Sequence, residues 1–572
     1  MRRFLIVLVA CSAPPPERPR GTSAELVKSN VLRADYAGSE ACADCHHEIY
    51  AKWATSPMRN MTREIAGAIV RAPFDGATLT TGTDTATMEM SAGARVMRVG
   101  GESFRVTKVV GGRYREDFVG VGDDGVERVL PATYVFASAS WRYKGYSVMV
   151  KERPSMSTRA VWSQECIACH NTLPLATLLY DELYGPSLPG YQGKLSDRVL
   201  PKSRLWTARA TNDAGLSRAL ETEIRFLGGE PPANASTKDL LRAAAETTED
   251  KLRADKLVEV GIGCEACHNG ARTHAEDPKL LPSYAAQSSV LEMRPPPGQY
   301  GSRAQWINRT CTKCHTVLFT RYPWTWEGGE RTKNPGGSTT NSGEGRDFML
   351  GGCASAMTCT TCHDPHAADT PAAMAKLATT AGNHVCTTCH ADVGADLSAH
   401  THHQTTSAGS SCVGCHMPKK NMGLDYALVR YHRIGSPNDK ARVERDRPLE
   451  CALCHQDKSV EELAQAMDKW WGKRADRAAL AALYGDDLRV NAIRATLARG
   501  KPHEQAVAIA VLGEARDATA IGVIAPHLAH DYPLVRYYAR RALELITQRP
   551  IAIDVGAPAD VIRPQAAAFT AR

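Results

Sequence analysis

The sequence predicts a mainly α chain of low regular structure, with a small antiparallel β insert and a C-terminal α-helical repeat segment. Three observations predict it. Eight copies of Cys-x-x-Cys-His recur, and from the third onward successive copies lie only 22–44 residues apart, leaving little room for independent cores. Residues 70–155 contain no cysteine and are rich in Thr, Val and Gly in alternating runs. After Cys454 the sequence turns alanine-rich and amphipathic, again without cysteine.

The eight motifs use 16 of the 18 cysteines: Cys42 and Cys45, Cys166 and Cys169, Cys264 and Cys267, Cys311 and Cys314, Cys359 and Cys362, Cys386 and Cys389, Cys412 and Cys415, Cys451 and Cys454. Composition alone would give roughly 0.02 copies by chance, so the pattern is not accidental. Cys-x-x-Cys-His is the attachment signature of c-type haem: two thiols add to the vinyl groups, and the adjacent histidine takes one axial face of the iron. The expected proximal ligands are His46, His170, His268, His315, His363, His390, His416 and His455. Eight covalent haems, closely stacked and wrapped by short helices and loops, are the expected architecture. Zinc ribbons also use Cys-x-x-Cys pairs but do not require the following histidine.

The hydrophobic fraction of 43% and charged fraction of 23% are those of an ordinary soluble protein. Formal net charge is +7. A ferric haem with ionised propionates carries roughly −1, so eight nearly cancel the protein charge. With no long Lys/Arg run, a nucleic-acid partner is not expected.

In chain order, residues 1–11 read as a lipoprotein-type signal peptide. Met1-Arg2-Arg3 is the basic n-region, Phe4–Ala10 a short apolar run, and Leu8-Val9-Ala10-Cys11 resembles a lipobox with Cys11 lipidated. An ordinary signal peptide is the alternative. Residues 12–35 follow as a Pro-rich tether. Residues 36–69 carry the first motif and a short helix ended at Ser56-Pro57. Residues 70–155 form the β insert, with turn signals at Gly111-Gly112 and Asp123-Asp124-Gly125. Residues 156–457 carry seven motifs, and Asn334–Gly345 reads as a Gly-rich loop. At 458–547 a Ser459-x-x-Glu462 capping box opens a helix through Trp470-Trp471. Asp487–Ile493 and Asp531–Tyr537, about 45 residues apart, fit the period of HEAT repeats, with a plain helical cap as the alternative. Residues 548–572 are a tail.

The second axial ligand decides the chemistry, because an electron carrier is six-coordinate and a catalyst needs an open face. Candidate distal ligands are His47, His274, His366, His384, His400, His402, His403 and His432, with Met58 and Met61 for the first haem. His503, His527 and His530 lie in the helical tail and read as surface residues. Cys353 is read as a buried thiol or, alternatively, a ligand.

Gly38-Ser39-Glu40-Ala41-Cys42-Ala43-Asp44-Cys45-His46, with Trp53 and Ser56, resembles the opening of the cytochrome c-554 family of multihaem cytochromes. Gly263–His268 with His274, Thr358–His366, and His400–His403 before Cys412–Pro418 are similar to blocks in its larger relatives. The resemblance covers about residues 36–547. It implies bis-His haems in parallel and perpendicular pairs, a C-terminal set of helical repeats, and a distal role for His432. Where the family often has a histidine after Ser56, this chain has Met58.

The expected function is an extracytoplasmic electron carrier, periplasmic or at the outer cell surface, lipid-anchored to a membrane and serving redox partner proteins. One rival is an octahaem oxidoreductase of the hydroxylamine oxidoreductase or nitrite reductase type, although no Cys-x-x-Cys-Lys variant is present. Another is a module that docks a partner through the HEAT-like tail.

Overall fold

The computed structural model describes residues 25–153, 155–185, 204–296, 301–316, 322–330, 340 and 343–570. The signal peptide, Cys11, most of the tether, most of the Gly-rich loop Asn334–Gly345 and the last two residues of the tail lie outside them. Within the described part of the tether, the chain is docked. Leu26 bridges Leu281, Val27 and Val31 are buried, and Asn30 donates to the carbonyls of Ser283 and Ala285.

The expectation of low regular structure with a small β insert is corrected: helix makes up 44% and strand 15%, and the insert is a nine-stranded antiparallel sheet. Its strands are β1 Thr62–Glu64, β2 Asp75–Thr81, β3 Asp84–Ser91, β4 Ala94–Val99, β5 Glu102–Gly111, β6 Arg115–Val121, β7 Glu127–Val129, β8 Ala132–Val135 and β9 Ser140–Tyr143. The order is β2-β3-β4-β5-β6-β8-β9, with β1 on β5 and β7 on β6.

The physical reason lies in the side-chain alternation. Met88, Met97, Phe104, Val109 and Phe118 point to one face. Strand twist curls the sheet around that face until its edges approach. Phe74, ahead of β2, packs edge-on to Trp141 of β9 at 5.5 Å. The insert therefore closes a core of its own and needs no haem to fill it. The neighbouring residues Val110, Val119 and Val129 point outward and pack on Trp162, just before the second motif, and on Cys166 and Ile167 within it. Both faces are apolar because both are covered.

Helix α1 (His47–Ala54) leaves the first motif directly. Helices α2 (Asp213–Phe226) and α3 (Thr237–Lys251) form a hairpin. Asn212 caps the first and a Ser236–Asp239 capping box the second. Leu216, Leu220 and Ile224 meet Leu240, Leu241 and Ala244 between them. Strands β10 (Thr207–Ala210) and β11 (Leu291–Arg294) pair beside this hairpin. Helix α4 (Arg303–Thr312) runs into the fourth motif. Hairpin β12–β13 (Lys419–Met422, Leu428–Arg430) links the seventh motif to His432.

The tail opens on α5 (Val460–Trp471), whose Ser459–Glu462 capping box forms as the sequence predicts. Helices α6 (Arg477–Tyr484), α7 (Ala492–Arg499), α8 (Pro502–Glu514), α9 (Pro533–Thr547) and α10 (Ala559–Thr570) follow. Helix α8 is buried on all sides, with Ala506, Val507, Ala508 and Ile509 at 0% exposure. One core joins the tail to Tyr322, Trp326, Met422, Tyr426 and Tyr431 of the motif region. His503 is thus not on the surface: its Nδ1 accepts from the Tyr322 hydroxyl at 2.7 Å inside that core. No described helix is long and apolar enough to cross a membrane.

Candidate metal centres

Neighbouring motifs touch one another. The thiols of Cys42 and Cys264 lie close enough to perturb each other, as do those of Cys169 and Cys314, Cys311 and Cys359, and Cys386 and Cys412. The residues between the cysteines hold these junctions. Glu265, inside the third motif, accepts from Gly38 N at 2.7 Å at the start of the first. Lys313, inside the fourth, donates from Nζ to Ala266 O of the third at 2.7 Å. Asn308 Oδ1 accepts from Cys359 N at 3.0 Å, and Asn383 Oδ1 from Cys412 N at 2.9 Å. Motifs 1 and 3, 3 and 4, 4 and 5, 6 and 7, and 2 and 4 are thus neighbours.

Five motif histidines face a second imidazole. Ring centroids are 6.2 Å apart for His46 and His274, 6.2 Å for His268 and His366, and 6.4 Å for His363 and His432. They are 6.1 Å apart for His416 and His400, and 5.9 Å for His455 and His403. Two imidazoles bound to opposite faces of one metal, each nitrogen about 2 Å from it, place their centroids roughly 6 Å apart. The residues present thus fit an iron between each pair.

The outer hydrogen bonds agree. Nδ1 donates to Leu280 O from His274 at 2.7 Å, to Thr401 O from His403 at 2.6 Å, to Gly435 O from His416 at 3.0 Å and to Arg430 O from His432 at 3.0 Å. His363 Nδ1 donates to Asp369 at 2.8 Å. Each bond leaves Nε2 as the free ligand nitrogen. Burial pushes His170 and His268 down to about 4 and also lowers His416 and His432, so these rings are the neutral form that binds metal.

The remaining candidates stand differently. His402 stacks on Trp470 at 5.2 Å and meets no other imidazole. His47 is exposed. His384 is exposed, with Nδ1 held by Ala381 O at 2.9 Å. Met61 packs on the apolar cluster that contains Cys166, and Met58 O accepts from Ile262 N, next to the third motif, at 3.1 Å. Cys353 is partly buried and free. Among the described residues, His170, His315 and His390 face no second imidazole.

The sequence reading missed one feature near the second motif. Arg115, Asp117, Arg142 and Lys144, all from the β sheet or its edge, gather there, with Asp117 Oδ2 at 3.3 Å from Arg115 and 3.4 Å from Lys144. Burial alone would raise Asp117, but these two cations hold it below the usual carboxylate range. No local motif signals this cluster, because strand pairing assembles it.

Repeated thioether-forming motifs, five of them faced by a second imidazole, define a multihaem c-type cytochrome acting in electron transfer. A family model described as a doubled CXXCH motif matches residues 353–395, spanning the fifth and sixth motifs. No curated protein matches the chain. Among solved structures, the outer cell wall cytochrome OcwA is similar over 90% of this chain and 100% of that chain, at 14% identity and a TM-score of 0.36. A score of that size does not establish a shared fold.

Proposed function

We propose that the protein is an extracytoplasmic octahaem c-type cytochrome of the cytochrome c-554 kind that carries electrons along a haem chain. The five motif histidines that each face a second imidazole about 6 Å away are the observation that carries this reading, because they supply the ligand sets of six-coordinate, electron-carrying haems. Covalent haem supplies reversible one-electron chemistry at iron. The chain's residues do the rest. The sixteen motif cysteines would attach the haems, and the eight motif histidines together with His274, His366, His432, His400 and His403 would ligate the irons. Backbone carbonyls fix the ring orientation of four of these ten paired histidines besides the carboxylate-held His363.

Lipidation at Cys11 would tether the protein to a membrane surface in the periplasm or outside the cell, within reach of redox partner proteins. The paired helices of 458–547 are part of the same proposal as HEAT-like repeats seated on the haem region. Mass spectrometry of the matured protein is expected to find eight thioether-linked haems and a lipid on Cys11. Fewer haems, or an unlipidated Cys11, would refute the corresponding part.

A second reading, an oxidoreductase with one open iron, is favoured by a count. With His402 held by tryptophan, only His47 and His384 remain to serve three motifs.

A further inference from the structure

We propose that Trp470 and Trp471, at the C-terminal end of α5, are positioning residues that set the distal ligation of the seventh and eighth haems; this rests on reading His400 with His416 and His403 with His455 as axial pairs. His400 and His403 lie three residues apart, a spacing that would put both rings on one face of a continuous helix. The pairs need the rings to part, because one faces the seventh motif and the other the eighth. His402 makes the parting. It ends the one-turn helix Leu397–Thr401 in the left-handed region, with φ of 55°, a conformation that residues other than glycine seldom adopt.

Both tryptophans bear on this turn. Trp471 Nε1 donates to the carbonyl of His400 at 2.9 Å. The Trp470 ring stacks on that of His402, with centroids 5.2 Å apart and planes 14° from parallel, and Trp471 meets the same imidazole edge-on at 5.3 Å. The two indoles brace each other edge to face at 5.5 Å. Trp471 also packs on the core that joins the tail to the motif region, so the clamp is anchored in the body of the molecule. Trp470 is 39% exposed and His402 is exposed, so their contact adds little to that core; what it fixes is the turn. On the far side, the turn is tied by the Thr401 hydroxyl to that of Ser410 at 3.1 Å. Helix α5 itself starts at Val460, just after His455. It therefore links the proximal side of the eighth haem to the turn that bears the distal ligand.

The test reads electron paramagnetic resonance and redox titration of the low-spin haems in the fully matured protein. Trp471→Phe keeps a ring and loses the N–H donor; it is expected to shift the signal of one haem. Trp470→Ala removes the stack and is expected to shift two. Trp470→Tyr restores an aromatic face and is expected to return both to their wild-type positions. His402→Gly permits the left-handed turn without fixing it and leaves α5 intact. It is expected to reproduce the two shifts independently of any loosening of the tail by Trp470→Ala. Arg477→Gln, on the tail surface, is expected to change no signal.

Lower stability with unchanged signals and potentials in Trp471→Phe, Trp470→Ala and His402→Gly would make the tryptophans structural only and overturn the proposal. So would a Trp470→Tyr protein as altered as Trp470→Ala. His400→Met and His403→Met test the reading beneath it. Each is expected to raise the potential of one haem. Indifference of every haem to both would refute the axial pairs themselves.

Discussion

His274 reaches the ring of His46 from far along the chain because it sits on a short turn after the third motif, which touches the first through Cys42 and Cys264. Replacing it is a clean test of the pairing. His274→Met is expected to raise the reduction potential of one haem relative to its bis-imidazole neighbours, read by redox titration with paramagnetic resonance. Unchanged potentials would mean that His274 binds no iron. Asn308 shows how one side chain positions a motif. It is fully buried, donates to Ala354 O at 3.0 Å and Met357 O at 2.9 Å, and accepts from Cys359 N. Asn308→Ala leaves those groups unpaired and is expected to cost about 1–3 kcal/mol in chemical denaturation. At this scale the motif cysteines and histidines were legible, because covalent chemistry demands a fixed local spacing. The opposing rings were only partly so. His274 and His366 lie close to motifs in sequence, whereas Met61 packs on the apolar cluster that contains Cys166, a neighbour that sequence order does not show.

Elements transmit the same lesson through turns and strand faces. Gly111-Gly112 was readable as a turn, and it does join β5 to β6, bringing Arg115 to Asp117. Gly111 has φ of 87°, and a Cβ there would meet Arg115 O at 2.8 Å. Gly111→Ala is therefore expected to destabilise the sheet by about 1–3 kcal/mol, measured by denaturant unfolding. Normal stability in this variant would mean that the turn relaxes at no cost. The alternation that revealed strands did not reveal their number or their closure. Those depend on which strand edges meet, and Phe74 against Trp141 is a contact between segments that pattern alone does not relate.

The whole molecule is held together where the tail meets the motif region, and acid should loosen that joint. Sequence alone placed His503 and His530 outside, since an alanine-rich amphipathic run does not show which face is covered. In the structure His503 is enclosed by Tyr322 and Trp326, and burial, followed by Lys501, Lys420 and Arg447, holds it well below its ordinary value. Burial first, with His527 and Arg536 acting in the same direction and Asp531 opposing, brings His530 down to about 4. Both rings are neutral when folded and gain protons more readily when unfolded. Their stabilising contribution is complete above the unfolded value near 6.5 and is lost as pH falls, for His530 through about 4. Asp446, raised to about 6 by burial against the pull of Lys420, acts with the opposite sign: its contribution is lost as pH rises through about 6. The difference between wild type and His530→Gln isolates the histidine. Scanning calorimetry from pH 7.5 to 4 is expected to show a falling Tm in both, with a shallower fall in the variant; parallel curves would remove His530 from the acid response and leave His503 as the group that opens the joint.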